Sequence, residues 1–234
     1  PKTKIISLNA SPKTQFITMP GICFEAAPRQ ITQATEIGGV TGASPAFQYY
    51  GTGVSATGLF NPAIAGVGTF PIKYLYTSNI GCQDSSTQNI TVWPSPEAKY
   101  GISSPVCEKN AITISDSSKA NFSNIIKWDY SFGDATSLIR NNNSDFTKTY
   151  TSGNSYNASL IVTTDSGCIS TPFNKTIKVN YLPIVDFTLP QICLPDGNGT
   201  FNDISTIPDN SEALFSYLWD FGDANNTTPS TLKN

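Results

Sequence analysis

The five cysteines of the chain, Cys23, Cys82, Cys107, Cys168 and Cys193, fall in two alternating contexts that recur about every 85 residues. Cys23 follows Pro20-Gly21-Ile22, Cys107 follows Pro105-Val106, and Cys193 follows Pro190-Gln191-Ile192. Cys82 instead closes Ser78-Asn79-Ile80-Gly81, and Cys168 closes Thr164-Asp165-Ser166-Gly167. A period of this size marks tandem units rather than one enzyme core. The segments ahead of each first cysteine repeat as well: Ile6-Ser7-Leu8 with Pro12 and Phe16, Ile90-Thr91-Val92 with Pro96 and Tyr100, Ile177-Lys178-Val179 with Pro183 and Phe187. Each reads as strand, proline-bearing linker, strand. On this register residues 1–9 are the last strand of a preceding repeat, 10–93 and 94–181 are two repeats, and 182–234 are an incomplete third. The expected completion is a Gly-Cys beyond Asn234, about 60 residues after Cys193.

Only 13% of residues are charged and the net charge is −3, with Ser, Thr, Asn, Gly and Pro between short apolar runs. That composition fits all-β domains with many turns. No basic patch dense enough to neutralise phosphates occurs, so nucleic acid is not an expected partner. No apolar stretch approaches the roughly 20 residues of a membrane-spanning helix. Cysteines about 60 residues apart within each repeat fit disulfides made in an oxidising, extracellular setting, and the expected pairs are Cys23–Cys82 and Cys107–Cys168. Closing such a loop contributes about 4 kcal/mol on chain-entropy grounds. The alternative is unbonded buried thiols. Metal ligation is disfavoured, because the chain has no C-x-x-C and no histidine.

In the second repeat, Ala111–Ser115 alternates, Ile125–Phe132 alternates with Trp128, Tyr130 and Phe132 on one side, and Tyr156–Val162 leads toward Cys168. The order Cys107, Trp128, Cys168 is that of an immunoglobulin-like sandwich in which a central-strand Trp packs on an inter-sheet disulfide.

Trp128-Asp129-Tyr130-Ser131-Phe132-Gly133-Asp134 and Trp219-Asp220-Phe221-Gly222-Asp223 resemble the W-D-F-G-D-G signature of PKD (polycystic kidney disease) domains. Lys148-Thr149-Tyr150 with Gly153, Tyr156, Leu160 and Val162 resembles that family's later H-T-Y and Y-x-V-x-L-x-V segments. Tyr130-Ser131 reads as an insertion into the signature, Ala135 and Ala224 replace its last Gly, and Lys148 stands where His is usual. The first repeat lacks the signature. Its Gly51-Thr52-Gly53-Val54, Phe60-Asn61-Pro62 and Ile72–Tyr76 before Gly81-Cys82 look like a bacterial Ig-like repeat that alternates with PKD repeats in very long Bacteroidetes surface proteins, including gliding-motility adhesins and other type IX secretion cargo. The resemblance implies an all-β array of tandem immunoglobulin-like (PKD-type) sandwiches at the cell surface or outside it. Its expected partners are neighbouring repeats, surface glycans, or secretion and motility machinery. Trp128, Asp129, Gly133 and Asp134, with Trp219, Asp220, Gly222 and Asp223, form the core motif of the two PKD-like repeats.

Carboxylates beside a Gly turn invite calcium, with Asp129 and Asp134 as candidate ligands, or glycosidase chemistry. Hydrogen bonds to the local turn account for them more simply, and recurrence in each unit marks scaffolding. Without His there is no Ser-His-Asp or Cys-His arrangement, and no phosphate-binding P-loop is present. Asn-x-Ser/Thr sequons, among them Asn9, Asn89, Asn121, Asn157, Asn174 and Asn198, follow from the composition. Tyr49-Tyr50 reads as core rather than a ligand platform. Trp93, beside Pro94 and Pro96, reads as packing at the junction rather than glycan stacking. The expected function is a non-enzymatic, cofactor-free stalk or filament segment; the alternative is an accessory carbohydrate-binding or spacer module of a secreted hydrolase.

Overall fold

The computed structural model describes residues 9–191 and 199–222. Among the described residues the regular structure is almost wholly strand, gathered around two separate apolar cores. One lies between Phe16 and Val92, the other between Ala98 and Val179.

Around the first core run β1 (Thr14–Phe16), β2 (Ile22–Cys23), β3 (Arg29–Gln30), β4 (Ala34–Glu36), β5 (Gly42–Tyr50), β6 (Leu59–Phe60), β7 (Gly68–Ser78) and β8 (Gln83–Trp93). The main sheet has the order β2-β8-β7-β5, while β1 pairs with β4 and β3 with β6. Period-two alternation places Ile72 and Tyr74 of β7 and Ile90 and Val92 of β8 on the buried face and Lys73 in solvent. The short strand β2 joins the end of β8 in parallel, with Ile22 opposite Val92 and Cys23 opposite Trp93.

The second core is enclosed by β9 (Tyr100–Ile102), β10 (Ala111–Asp116), β11 (Ile125–Ser131), β12 (Ser137–Arg140), β13 (Phe146–Thr149), β14 (Asn154–Thr164) and β15 (Phe173–Val179). Two sheets, β13-β10-β9 and β12-β11-β14-β15, face each other. Ile112 and Ile114 of one meet Trp128, Tyr130, Leu160, Val162 and Ile177 of the other. Each such aliphatic side chain, removed from water, contributes about 1.5–3 kcal/mol. The register of β11 against β14 shifts between Ile125 and Lys127, so Ile126 is exposed while Ile125 and Trp128 both turn toward the core. Trp128, Tyr130 and Phe132 share the buried side, as their alternation predicts.

Beyond residue 182 a two-stranded ladder, β16 (Phe187–Thr188) with β17 (Asn202–Asp203), extends through an Ile184–Thr206 bridge. The bridge repeats Glu97–Lys119 of the preceding unit. The strand expected at Ile6-Ser7-Leu8 and the cysteine Cys193 lie outside the described residues.

Candidate functional site

The signature segment forms the turn from β11 to β12. Gly133 takes φ +77°, and a Cβ there would lie 2.7 Å from the backbone N and O of Asn157 on β14, so backbone conformation and close approach both require glycine. The Asp134 carboxylate accepts hydrogen bonds from the Thr136 amide at 3.1 Å and from Lys148 Nζ at 2.6 Å. Lys148 also donates to Thr136 Oγ1 at 2.8 Å and stands over the rings of Phe132 and Tyr150, 4.9 and 5.1 Å from their centroids. Tyr150, fully buried, donates its hydroxyl to the Phe132 carbonyl at 3.1 Å. Burial pushes the Asp134 carboxyl up, but the hydrogen bonds from Lys148 and Thr136 and the Lys148 charge outweigh it and hold the group below its ordinary range.

Asp129, the other calcium candidate, pairs with Lys127 on its own strand at 2.7 Å. Each candidate carboxylate therefore already faces a lysine ammonium. Among the described residues no group of three or more His, Cys, Asp or Glu side chains stands close enough to hold a metal ion. In the last unit Asp220 accepts from the Gly222 amide at 2.9 Å, and Gly222 has φ +69°; Asp223 lies outside the described residues.

The geometry corrects the reading of Tyr130-Ser131 as an insertion. Tyr130 and Phe132 stack with centroids 6.1 Å apart and planes 6° apart; Trp219 and Phe221 do so at 6.1 Å and 5°. Tyr100 meets Tyr130 edge-on at 5.9 Å, as Phe187 meets Trp219 at 5.4 Å and Phe16 meets Tyr49 at 6.3 Å. Tyr130 thus occupies the place of the signature Trp, with Tyr49 its counterpart in the first unit, and Trp128 lies one side-chain pair upstream. Tyr49 is buried, as expected of a core residue, whereas Tyr50 beside it is exposed.

The cysteines depart most from expectation. Cys23 is bonded to Cys168, with Cα atoms 5.5 Å apart, and Cys82 and Cys107 are free. The expected pairs Cys23–Cys82 and Cys107–Cys168 fail on distance. Cys23 lies level with Trp93 at one end of β8, whereas Cys82 precedes Gln83 at the other; that strand has 11 residues, about 35 Å of rise. Cys107 bridges Asn180, just past β15, while Cys168 lies ahead of its first residue, roughly 20 Å away. A disulfide tolerates Cα separations of no more than about 7 Å. Trp128 is buried, as expected, but packs within an apolar core that contains no disulfide. The bond instead joins the trailing end of the first sandwich to the β14–β15 turn of the second.

At the same seam Trp93, half-buried, and Pro94 line a hollow of about 280 Å³ with Val67 and Phe122, the last reaching over from the second sandwich. Trp93 is thus placed for packing at the junction. Glu108 carries no motif that would draw attention to it. It is buried, and it accepts the Gly153 amide at 2.6 Å and the Leu182 amide at 3.3 Å, tying the second sandwich to the start of the next unit.

A family model described as "PKD domain" matches residues 93–179. No curated protein matches the chain. Among solved structures the chain is similar to the PKD1 domain of the Vibrio cholerae metalloprotease PrtV, with 25% identity over 36% of this chain and 96% of that one (TM-score 0.32). It is also similar to fibronectin(III)-like modules of Clostridium thermocellum CbhA, with 18% identity over 72% and 95% of the two chains (TM-score 0.36). A Bacteroides ovatus mixed-linkage glucan utilisation protein, SGBP-B, solved with a mixed-linkage heptasaccharide, is 14% identical over 82% and 76% (TM-score 0.26). The chain is all-β with immunoglobulin-like sandwiches, and residues 93–179 carry the PKD match.

Proposed function

We propose that the chain is a non-enzymatic segment of the stalk or filament of a large secreted or cell-surface protein, of the kind represented by gliding-motility adhesins and other type IX secretion cargo. The observation that carries this reading is the Cys23–Cys168 bond, which fastens one sandwich to the next at their facing ends. A crosslink there lies outside both core clusters. It restrains how two units move against each other, which is what a load-bearing or spacing element requires. The signature carboxylates support the reading, since Asp134 and Asp129 are engaged by Lys148 and Lys127 rather than turned toward a ligand. PKD-type domains commonly serve as structural or adhesive modules within multi-domain chains. The PKD match and the disulfide favour an extracellular site, and among the described residues no helix is long and apolar enough to cross a membrane.

The test is to raise antibodies to this segment and apply them to intact cells of the source organism. Labelling of surface filaments, and loss of adhesion when the gene segment is deleted, is the expected result. Secretion of the segment as part of a soluble polysaccharide hydrolase, with adhesion unchanged, would replace this reading with that of an accessory module.

A further inference from the structure

Cys168 and Cys82 occupy the same turn in successive units. The Thr164 amide donates to the Cys168 carbonyl at 2.9 Å, and the Ser78 amide to the Cys82 carbonyl at 2.8 Å. Thr164 Oγ1 accepts the Cys168 amide at 3.1 Å, and Ser78 Oγ accepts the Cys82 amide at 2.9 Å. Gly167 and Gly81 precede them with φ +82° and +88°. Cys107 and Cys23 match in the same way. Each pairs in parallel with a residue at the close of its unit, Asn180 or Trp93, and the following amide, of Glu108 or Phe24, donates to that residue's carbonyl at 2.9 or 2.8 Å. Each of the two sandwiches therefore carries a leading-end cysteine on a Gly-Cys turn and a trailing-end cysteine beside its last strand. Among the described residues the one bond joins a trailing cysteine to the leading cysteine of the next unit.

We propose that Cys107 and Cys82 are sites of the same inter-unit crosslink: Cys107 bonds the Gly-Cys turn of the adjoining unit on its trailing side, and Cys82 bonds a Pro-apolar-Cys cysteine of the adjoining unit on its leading side. Both thiols are partly exposed and both lie at unit ends, placed as the two bonded cysteines are. Bond formation follows thiol–disulfide exchange. The thiolate of one cysteine attacks the disulfide of an oxidised dithiol carrier, forming a mixed disulfide. The second cysteine's thiolate then attacks that sulfur, releasing the carrier as a reduced dithiol that takes up the two protons and two electrons. The result is a covalent ladder in which each unit is bonded to both neighbours and none carries an internal bridge. The inference rests on the array reading above.

The test is disulfide mapping of the source polypeptide, alkylated before lysis and digested without reductant. The expected linked pairs include Cys23 with Cys168, Cys107 with a peptide whose cysteine follows Gly, and Cys82 with a peptide whose cysteine follows a Pro-apolar pair. Recovery of Cys82 and Cys107 as alkylated thiols, a Cys82–Cys107 pair, or Cys107 bonded to Cys193 overturns the ladder, even in a multi-unit surface protein where the stalk reading stands. In the isolated 234-residue chain, Cys82 and Cys107 react with maleimide under native conditions while Cys23 and Cys168 do not. Labelling of all four would also overturn it.

Discussion

Lys148 Nζ stands 2.6 Å from the Asp134 carboxylate, each side chain more than four-fifths buried, and the pair closes the turn that the PKD-like signature builds. The folded carboxyl is held below the ordinary 3.8 of an aspartate, so its contribution to stability is present above that pH and is lost as pH falls through the lower folded value. Acid titration of the second sandwich, followed by tyrosine fluorescence, is expected to show a loss below about pH 4 that Asp134→Asn removes. The substitution itself costs about 1–2 kcal/mol at pH 7, because Lys148 loses its counter-charge among the rings of Phe132 and Tyr150. Equal acid sensitivity in the variant would show that the pair does not set this behaviour.

The Tyr100 hydroxyl is buried without a hydrogen-bond partner, and burial pushes its pKa up to about 12. Tyr100→Phe keeps the ring that meets Tyr130 and Phe173 edge-on and removes an unsatisfied group. Its melting temperature is expected to equal or exceed that of the parent. The folded pKa lies above the unfolded one, so the neutral hydroxyl's contribution is complete below pH 10 and declines as pH rises toward 12. Tyrosinate absorbance should accordingly show one fewer late-titrating group in the variant.

Trp128 is 5% exposed, and its indole N–H is buried without a partner. Trp128→Ala is expected to cost about 3–5 kcal/mol through the cavity it leaves. Trp128→Phe should cost far less, since the lost ring volume is offset by removal of an unsatisfied donor. Hydrogen exchange along β11 and β14, with the first sandwich as internal reference, separates the two. Normal folding of the alanine variant with loss of glycan binding would make Trp128 a ligand contact.

The strands and the buried aromatic stripe were legible because period-two alternation is a local property, and β8, β10, β11, β14 and β15 fall where it points. The bulge at Ile126 was not, since a register shift is decided by the partner strand. The cysteine period was equally plain, yet it misled on pairing. Spacing along the chain says that Cys23 and Cys82 belong to one unit, but only the length of β8 says that they sit at opposite ends of it. Trp128, the most distinctive residue of the signature, invites an alignment that starts from it. The aromatic geometry aligns the signature from Phe132-Gly133, whose turn fixes the backbone, and that puts Tyr130 in register with Trp219.

Cys23 and Cys168 lie outside both clusters of core side chains, although Cys168 is itself fully buried, and their bond crosses from one unit to the other. A disulfide within a small sandwich typically contributes 2–5 kcal/mol to its stability by restricting the unfolded chain. Here the bond spans 145 residues and two cores, and while one sandwich stays folded it still ties the far end of the other's unfolded chain to the seam, closing a long loop in each. The Cys23→Ser, Cys168→Ser double variant is therefore expected to lower both melting transitions, by up to about 4 kcal/mol on chain-entropy grounds. The relative motion of the two units changes as well. With the bond, the seam carries the Cys23–Cys168 crosslink beside the hollow that Trp93 and Phe122 line, together with the prolines that stiffen the linker. Without it, the covalent restraint across the seam is gone. Residual dipolar couplings measured on both sandwiches should fit a single alignment tensor in the parent and two in the double variant. Couplings in the double variant that still fit one tensor, with both transitions unmoved, would show that the bond neither restrains the two units nor limits their unfolded chains.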